Sequence, residues 1–286
     1  MLGLSILGQA APAQGRGRMT NLDFSTIRAV ILDMDGVLWR DTQPIGDLPW
    51  IFEQIVRMGW KVLLATNNAT RTVDQFVEKL GGFGVALEPW QVVNSSQAAA
   101  NYLAKQHPQG GPVYIVGEES LKQTLADAGF FHDEERALAV VAALDRQLTY
   151  RKLRLATLFI RSGVPFIGTN PDRTLPTPEG LVPGAGSVLA AIETATDQRP
   201  LIVGKPSPEM YRLAMERLGT SPQETLVVGD RLETDIIGAQ ELGCRAALVL
   251  SGASSADAAR AWTPPPDLVL PDLTALVTLA YRGRSG

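Results

Sequence analysis

The stretch Ala29-Val30-Ile31-Leu32-Asp33-Met34-Asp35-Gly36-Val37-Leu38-Trp39 decides how the chain is read. Its first four residues form an unbroken apolar run with β-branched members, which predicts a buried parallel strand. Side chains alternate along a strand, so Asp33 and Asp35 emerge on the same side where the strand ends. Gly36 then permits a sharp turn. Two carboxylates held together are costly unless a cation or a proton lies between them. In an open α/β sheet that strand end is also where ligands bind. The stretch therefore predicts a metal-dependent site.

Strand-like and helical runs alternate outward from it, the pattern of an α/β fold. Helices are predicted over Leu48–Met58, Thr72–Leu80 (closed by Gly81-Gly82) and Ser95–Lys105 (with a serine cap), and strands over Lys61–Ala65 and Val92-Val93. His107-Pro108-Gln109-Gly110-Gly111-Pro112 is a linker signal. A second α/β set follows, with strands at Val113–Val116, Ala139–Leu144 and Pro165–Thr169 and helices at Glu119–Ala128, Tyr150–Ser162 and Ser187–Thr194. Pro171 to Pro183 reads as a loop, and Thr196–Pro200 as a second linker. The first pattern then returns through Leu201–Val203, Glu209–Leu218, Thr225–Val228, Ile236–Leu242, Ala246–Leu250, Leu268–Leu270 and a C-terminal helix. The expected architecture is a doubly wound, mostly parallel Rossmann-like sheet over 19–107 and 199–286. An inserted α/β domain over 108–198 interrupts it.

The 286 residues, 45% apolar and 20% charged, suffice to bury a sizeable core without cross-links. The single Cys244 excludes an internal disulfide and a cysteine-rich metal site, and fits a reducing, cytoplasmic setting. A net charge of −4 with no basic run argues against nucleic acid as the partner. No apolar stretch is long enough to span a bilayer. Residues 1–18 read as a disordered extension without the charge pattern of a signal peptide, with Met19 an alternative start.

Polar groups stand at four predicted strand ends: Asp33/Asp35, Thr66, Lys205 and Asp230/Asp235. Parallel strands bring all four to one edge. Asp33, Asp35 and Asp230 offer hard oxygen ligands suited to Mg²⁺. The Thr66 hydroxyl and the Lys205 charge suit a phosphoryl oxygen, and the backbone N–H groups around Asn67 and Asn68 lie at a helix start, where anions bind. Each has a plainer reading alone. Thr66 could cap the following helix, Lys205 could be a surface lysine, and Asp235 could cap Ile236–Leu242. His107 and His132 fall in linker-like stretches and read as solvated, and Trp39 reads as core.

The ordered set Asp33-Met34-Asp35-Gly36, Thr66-Asn67-Asn68, Gly204-Lys205-Pro206 and Gly229-Asp230 with Asp235 resembles the haloacid dehalogenase-type phosphohydrolase superfamily. Thr169-Asn170-Pro171-Asp172 and Gly204-Lys205-Pro206-Ser207-Pro208 look like its type IIA cap branch, which holds p-nitrophenylphosphatases, NagD-type nucleotide phosphatases and phosphoglycolate and pyridoxal phosphatases. The resemblance implies a Mg²⁺-dependent phosphomonoesterase for a small phosphorylated metabolite or nucleotide, active on p-nitrophenyl phosphate. It implies Asp33 as nucleophile forming an aspartyl-phosphate, and Asp35 as acid/base with its backbone carbonyl on the metal. It further implies Thr66 and Lys205 on the phosphoryl group, Asp230 on the metal and Asp235 behind Lys205 or a metal water. A homodimer through the cap follows from the same resemblance.

Rival readings are a phosphotransferase or phosphomutase using the same intermediate, a signalling receiver domain, and a non-catalytic phosphate binder. Receivers are shorter and place their acid pair consecutively. Selectivity is expected from the insertion, at Leu144-Asp145-Arg146 and at Asn170, Asp172 and Leu175, although Asp145 could cap a helix and Asn170/Asp172 could build a turn. Pyridoxal phosphatases of the branch carry an aromatic and a histidine where this chain aligns Leu144 and Leu175. The aliphatic pair argues against a pyridoxal phosphate preference.

Overall fold

The computed structural model describes residues 22–177 and 179–284, so the expected extension over 1–18 lies outside the described residues. Strands are numbered in chain order. The opening strand, β1 (Ala29–Leu32), leads through a two-residue ribbon of β2 (Trp39–Arg40) and β3 (Gln43–Pro44) to β4 (Lys61–Thr66) and β5 (Val92–Asn94). Much later in the chain come β13 (Thr225–Gly229), β14 (Arg245–Val249) and β15 (Leu268–Leu270). These make a six-stranded parallel sheet of order β15-β14-β13-β1-β4-β5.

This order explains where a site can form. From β1 the chain winds one way to β4 and β5, then returns to the other side of β1 for β13, β14 and β15. The winding reverses between β1 and β13, and the crevice beyond the carboxyl ends of two such strands is the natural ligand position. The register pairs Leu32 with Val228, and the Asp33 N–H continues the ladder to the Val228 carbonyl at 2.9 Å. Asp33 and Asp230 therefore leave the sheet side by side.

The sheet is buried on both faces. Ala29, Ile31, Leu63, Val93 and Val227 face one apolar cluster, while Val30, Leu32, Leu64, Leu226 and Val228 face another. Each fully buried Leu or Ile contributes about 1.5–3 kcal/mol relative to exposure. The flanking helices start where cap chemistry permits. Asp47 accepts from the Trp50 N–H at 3.1 Å, and Thr72 and Gln75 form a reciprocal capping box. Asn94, not a serine, caps the helix Ser95–Gln106. The helix Val73–Gly82 includes the glycine pair and ends on it, with Gly84 in the left-handed region.

A second parallel sheet holds β6 (Gly111–Val116), β7 (Phe130–His132), β8 (Val140–Ala142), β9 (Phe166–Gly168) and β12 (Leu201–Ile202), in the order β12-β9-β8-β6-β7. The boundary expected at 199 places Leu201–Ile202 with the first sheet. It instead pairs with Ile167 and Gly168 at the edge of the second, so the chain crosses back only after Ile202. The proline-rich segment read as a loop contains a hairpin, β10 (Thr174–Thr177) and β11 (Gly180–Pro183). A two-stranded ribbon tolerates proline because only one edge of each strand is paired. His132 lies on β7, where its Nδ1 accepts the Ile115 N–H at 3.0 Å and its ring packs against Tyr114.

The two sheets share packing. The cluster holding Ile31 and Leu63 continues through Ala99 and Leu103 to Leu121, Ile115 and Val141. Gly204, at the return crossing, marks a close approach of the two units. A Cβ there would sit 2.3 Å from the Thr169 carbonyl and 2.7 Å from Asn67 Oδ1. Gly204→Ala is therefore expected to destabilise the protein by about 1–3 kcal/mol, the usual overpacking cost. Urea denaturation checks this, and an unchanged midpoint would contradict the close approach.

Candidate active site

Beyond Leu32 the backbone turns back on itself. The Leu38 N–H donates to the Met34 carbonyl at 2.8 Å and the Gly36 N–H to the Trp39 carbonyl at 2.8 Å. Gly36 has φ +84°, and a Cβ there would meet Asp230 Oδ2 at 2.5 Å, so both conformation and space require glycine. The turn leaves Asp33 and Asp35 in different surroundings.

Asp33 faces Lys205. The Lys205 ammonium donates to Asp33 Oδ1, to Asp235 Oδ1 at 2.7 Å and to the Ala65 carbonyl at 3.0 Å, using its three donors on three partners. The Lys205 and Asp235 side chains are 4% and 2% exposed, whereas Asp33 keeps 11%. Of the three, Asp33 is the group a ligand can reach. Burial opposes the lysine's charge, but Asp235 and Asp33 outweigh it and hold its pKa well above the usual value. Asp33 is pushed well above the usual carboxylate range by burial, with Lys205 opposing and Asp235 and Asp230 adding repulsion.

Lys205 is aimed by its backbone. The Asn67 side chain accepts from the Lys205 N–H at 2.8 Å and donates to the Lys205 carbonyl at 3.0 Å. The same amide reaches Asp172 Oδ2 at 3.3 Å, and the Asn67 carbonyl accepts from Asn170 Nδ2 at 2.8 Å and Ser95 Oγ at 2.7 Å. Asn67 thus ties the end of β4 to Lys205 and to the Asn170-Pro171-Asp172 turn of the second unit. From the sequence alone, Asn67 is expected only as a phosphate contact through its backbone N–H. Its clamp role has no local signature, because its partners lie more than a hundred residues away.

Asp230 and Asp235 follow β13. One turn of π-helix, Leu232–Ile236, carries Asp235 inward, where its Oδ2 accepts from the Arg231 N–H at 3.1 Å. Asp235 does not cap a helix; both its oxygens are engaged, one of them with Lys205. Asp230 Oδ2 accepts from the Ala253 N–H at 2.6 Å, while Oδ1 is buried without a partner. Burial first, then repulsion from Asp235, raises the Asp230 pKa to about 6.

Among the described residues, Asp33, Asp230 and Asp235 form a group with carboxylate oxygens within 4.8 Å of one another. Three carboxylates against one ammonium leave the cluster short of positive charge. The buried, unpartnered Asp230 oxygen and the hard all-oxygen donor set fit a small divalent cation such as Mg²⁺. The Asp35 carboxylate is outside this group and is bonded instead to the Trp39 indole, so the two acids of the opening motif do not face one ion together.

Thr66 is buried at the end of β4, next to the carbonyl that binds Lys205. Its hydroxyl accepts from the Asn68 N–H at 3.2 Å, and Asn68 Oδ1 accepts from Thr70. Thr66 is not the helix cap, a role that Thr72 fills; Asn67 and Asn68 therefore lie in the turn ahead of the helix and not at its start, because the capping box forms only at Thr72 and Gln75. The expected contacts of the insertion divide. Asn170 and Asp172 meet the site through Asn67. Asp145 is buried against Lys152 at 2.7 Å and accepts from the Gln147 N–H at 2.9 Å, while Arg146 pairs with Glu118. Both are thus committed to partners within the second unit, because a local cation and a nearby acid satisfy them there. Leu144 is half-buried just past β8, and Leu175 half-buried on β10. Lys205→Met keeps the stem but leaves Asp33 and Asp235 buried without their cation. It is expected to cost about 3–5 kcal/mol of stability in metal-free protein. Thermal melting in EDTA reads this out, and an unshifted transition would show the pair to be dispensable.

Residues 30–131 match the family described as haloacid dehalogenase-like hydrolase, and residues 202–276 a family described as HAD-hydrolase-like. An acid sugar phosphatase of Staphylococcus aureus is 34% identical over 251 residues, covering 87% of this chain and 96% of that protein. A 4-nitrophenylphosphatase of Thermotoga maritima superposes with a TM-score of 0.84 at 31% identity, over 89% of this chain and 98% of that one. A glycerol phosphate phosphatase of Mycobacterium tuberculosis, solved in complex with magnesium, gives a TM-score of 0.81 at 36% identity, over 88% of this chain and 77% of that one. With the site at the switch point of its parallel sheet and relatives matched along most of its length, the chain belongs to the haloacid dehalogenase-like hydrolases, in their type IIA phosphatase branch.

Proposed function

We propose that this protein is a Mg²⁺-dependent phosphomonoester phosphatase that works through a phosphorylated Asp33. The observation that carries the reading is the buried Lys205 ammonium, bonded at once to Asp33 and Asp235 beside the unpartnered oxygen of Asp230. A carboxylate is repelled by a phosphate dianion, and the site meets that problem with positive charge at the point of attack. Asp33 and Asp230 would hold the ion, which supplies charge neutralisation for the phosphoryl oxygens.

In this reading the Asp33 carboxylate forms a bond to phosphorus as the ester P–O bond breaks. Asp35 gives its proton to the departing oxygen, then takes one from the water that hydrolyses the acyl phosphate, releasing inorganic phosphate and restoring Asp33. Lys205 faces the phosphoryl oxygens from one side. The Thr66 hydroxyl, which the Asn68 N–H holds in place, would face them from another. Asp235, with both oxygens engaged, orients Lys205.

The second unit, standing over the Asn67 turn, would select the rest of the substrate. Relatives named for sugar phosphates and glycerol phosphate make small sugar and polyol phosphates the first class to try on this chain. A homodimer through the second unit belongs to the same reading by resemblance, and a cytoplasmic location fits the single Cys244. Purified protein should release p-nitrophenol from p-nitrophenyl phosphate with Mg²⁺ and stop in EDTA; turnover that persists after chelation would remove the metal from the account. Asp33→Asn should lower kcat more than about a thousand-fold, because an amide is no nucleophile. Near-normal turnover in the folded variant would take Asp33 out of its role.

A further inference from the structure

Asp35 lies at the surface of the turn, and among the described residues its carboxylate has one hydrogen-bond partner, the Trp39 indole, whose Nε1 donates to Oδ1 at 2.8 Å. Trp39 is the largest of the fully buried side chains, 1% exposed. It is held from two sides. The Lys79 ammonium sits 3.9 Å above the indole ring while donating to the Asp41 carbonyl at 2.9 Å, and the Phe83 ring packs at 6.0 Å. The backbone closes the same loop, with the Gly36 N–H on the Trp39 carbonyl.

We infer that Trp39 is a positioning residue for Asp35: it pins one carboxyl oxygen and so fixes which oxygen exchanges the proton. An indole N–H can only donate, so Oδ1 must remain an acceptor in both protonation states. The carbonyl oxygen of a protonated carboxyl is a better acceptor than its hydroxyl oxygen, so the indole bond to Oδ1 favours the proton on Oδ2. That oxygen gives it to the departing ester oxygen, which keeps the electron pair of the breaking P–O bond. Without the indole, an exposed aspartate is free to occupy several rotamers and to carry the proton on either oxygen. Lys79 serves the same end through the ring, and its charge also acts directly on the Asp35 carboxylate. A cation over the ring face draws electron density from the indole, strengthens its N–H as a donor and fixes the ring plane. The lysine comes from the helix Val73–Gly82, so the start of the catalytic turn is braced by an element beyond β4. This inference rests on the acid/base role proposed for Asp35.

The test compares p-nitrophenyl phosphate with phenyl phosphate in the Mg²⁺-loaded enzyme. The two substrates share a shape and differ in how much the leaving oxygen needs a proton. The readout is kcat/KM, which reports bond cleavage to the first product and not the later hydrolysis of the intermediate. Trp39→Phe keeps the ring and removes the donor. It is expected to lose about tenfold more on phenyl phosphate than on p-nitrophenyl phosphate, on the scale of one hydrogen bond to a charged group. Lys79→Met, at a half-exposed position, should show the same skew, about two- to threefold. It carries the test if Trp39→Phe fails to melt cooperatively. Equal factors on both substrates, or no loss in either variant, would overturn the inference. Asp35→Asn separates the two layers. A skewed loss there with uniform losses at Trp39 and Lys79 refutes only the positioning role. A uniform loss at Asp35, or a wild-type enzyme inert on both esters, brings down the acid/base reading and this inference with it.

Discussion

Everything at the site depends on one buried ammonium. Lys205 stands where the carboxyl ends of β1, β4 and β13 converge, and it satisfies an acid from β1, an acid from the turn after β13 and a carbonyl of β4. Taking such a charge out of water is expensive, and only close pairing with good geometry offsets the loss. The geometry comes from outside the pair. Asn67 grips both backbone groups of Lys205, and Gly204 lets that backbone pass against Thr169 and Ser95. The parallel sheet supplies the convergence and the Asn67 clamp supplies the aim.

Four aspartates near one point end up in four environments. Asp33 keeps some access and faces the cation. Asp230 has a buried oxygen without a partner. Asp235 is sealed with both oxygens engaged. Asp35 is exposed and bonded to an indole. One residue type thus yields distinct chemistry through burial and neighbours, the general route by which a site separates nucleophile, ligand and acid. The division also ties the second unit to the site. Its Asn170 and Asp172 touch Asn67, which aims Lys205, so the packing of the two units bears directly on the position of the buried charge.

Much of this was legible in the chain because the relevant signals are local. An apolar run before Asp33 gives a strand, alternation puts both acids at its end, and the parallel pattern gathers Thr66, Asp230 and Asp235 at one edge; Lys205 joins them by another route, since the strand before it lies in the second sheet. What stayed hidden is non-local. The strand at Leu201–Ile202 is visible as a strand, but sheet membership depends on pairing with Ile167 and Gly168, which no local pattern encodes. The β10–β11 hairpin hides behind its prolines. The Asn67 clamp spans 138 residues to Lys205. The Trp39–Asp35 bond spans four residues, yet an aromatic after an apolar run reads as core, and it is core; its edge alone is functional.

In the proposed reaction Asp33, held beside Lys205, becomes covalently phosphorylated. The most direct test is an acid quench during turnover of p-nitrophenyl phosphate, then borohydride reduction and peptide mass spectrometry. Reduction of an aspartyl-phosphate converts that residue to homoserine. Homoserine is expected at position 33 in the phosphatase-active enzyme, and none in protein quenched without substrate. An active enzyme with no modification at position 33, or with the label at Asp35 instead, would contradict it.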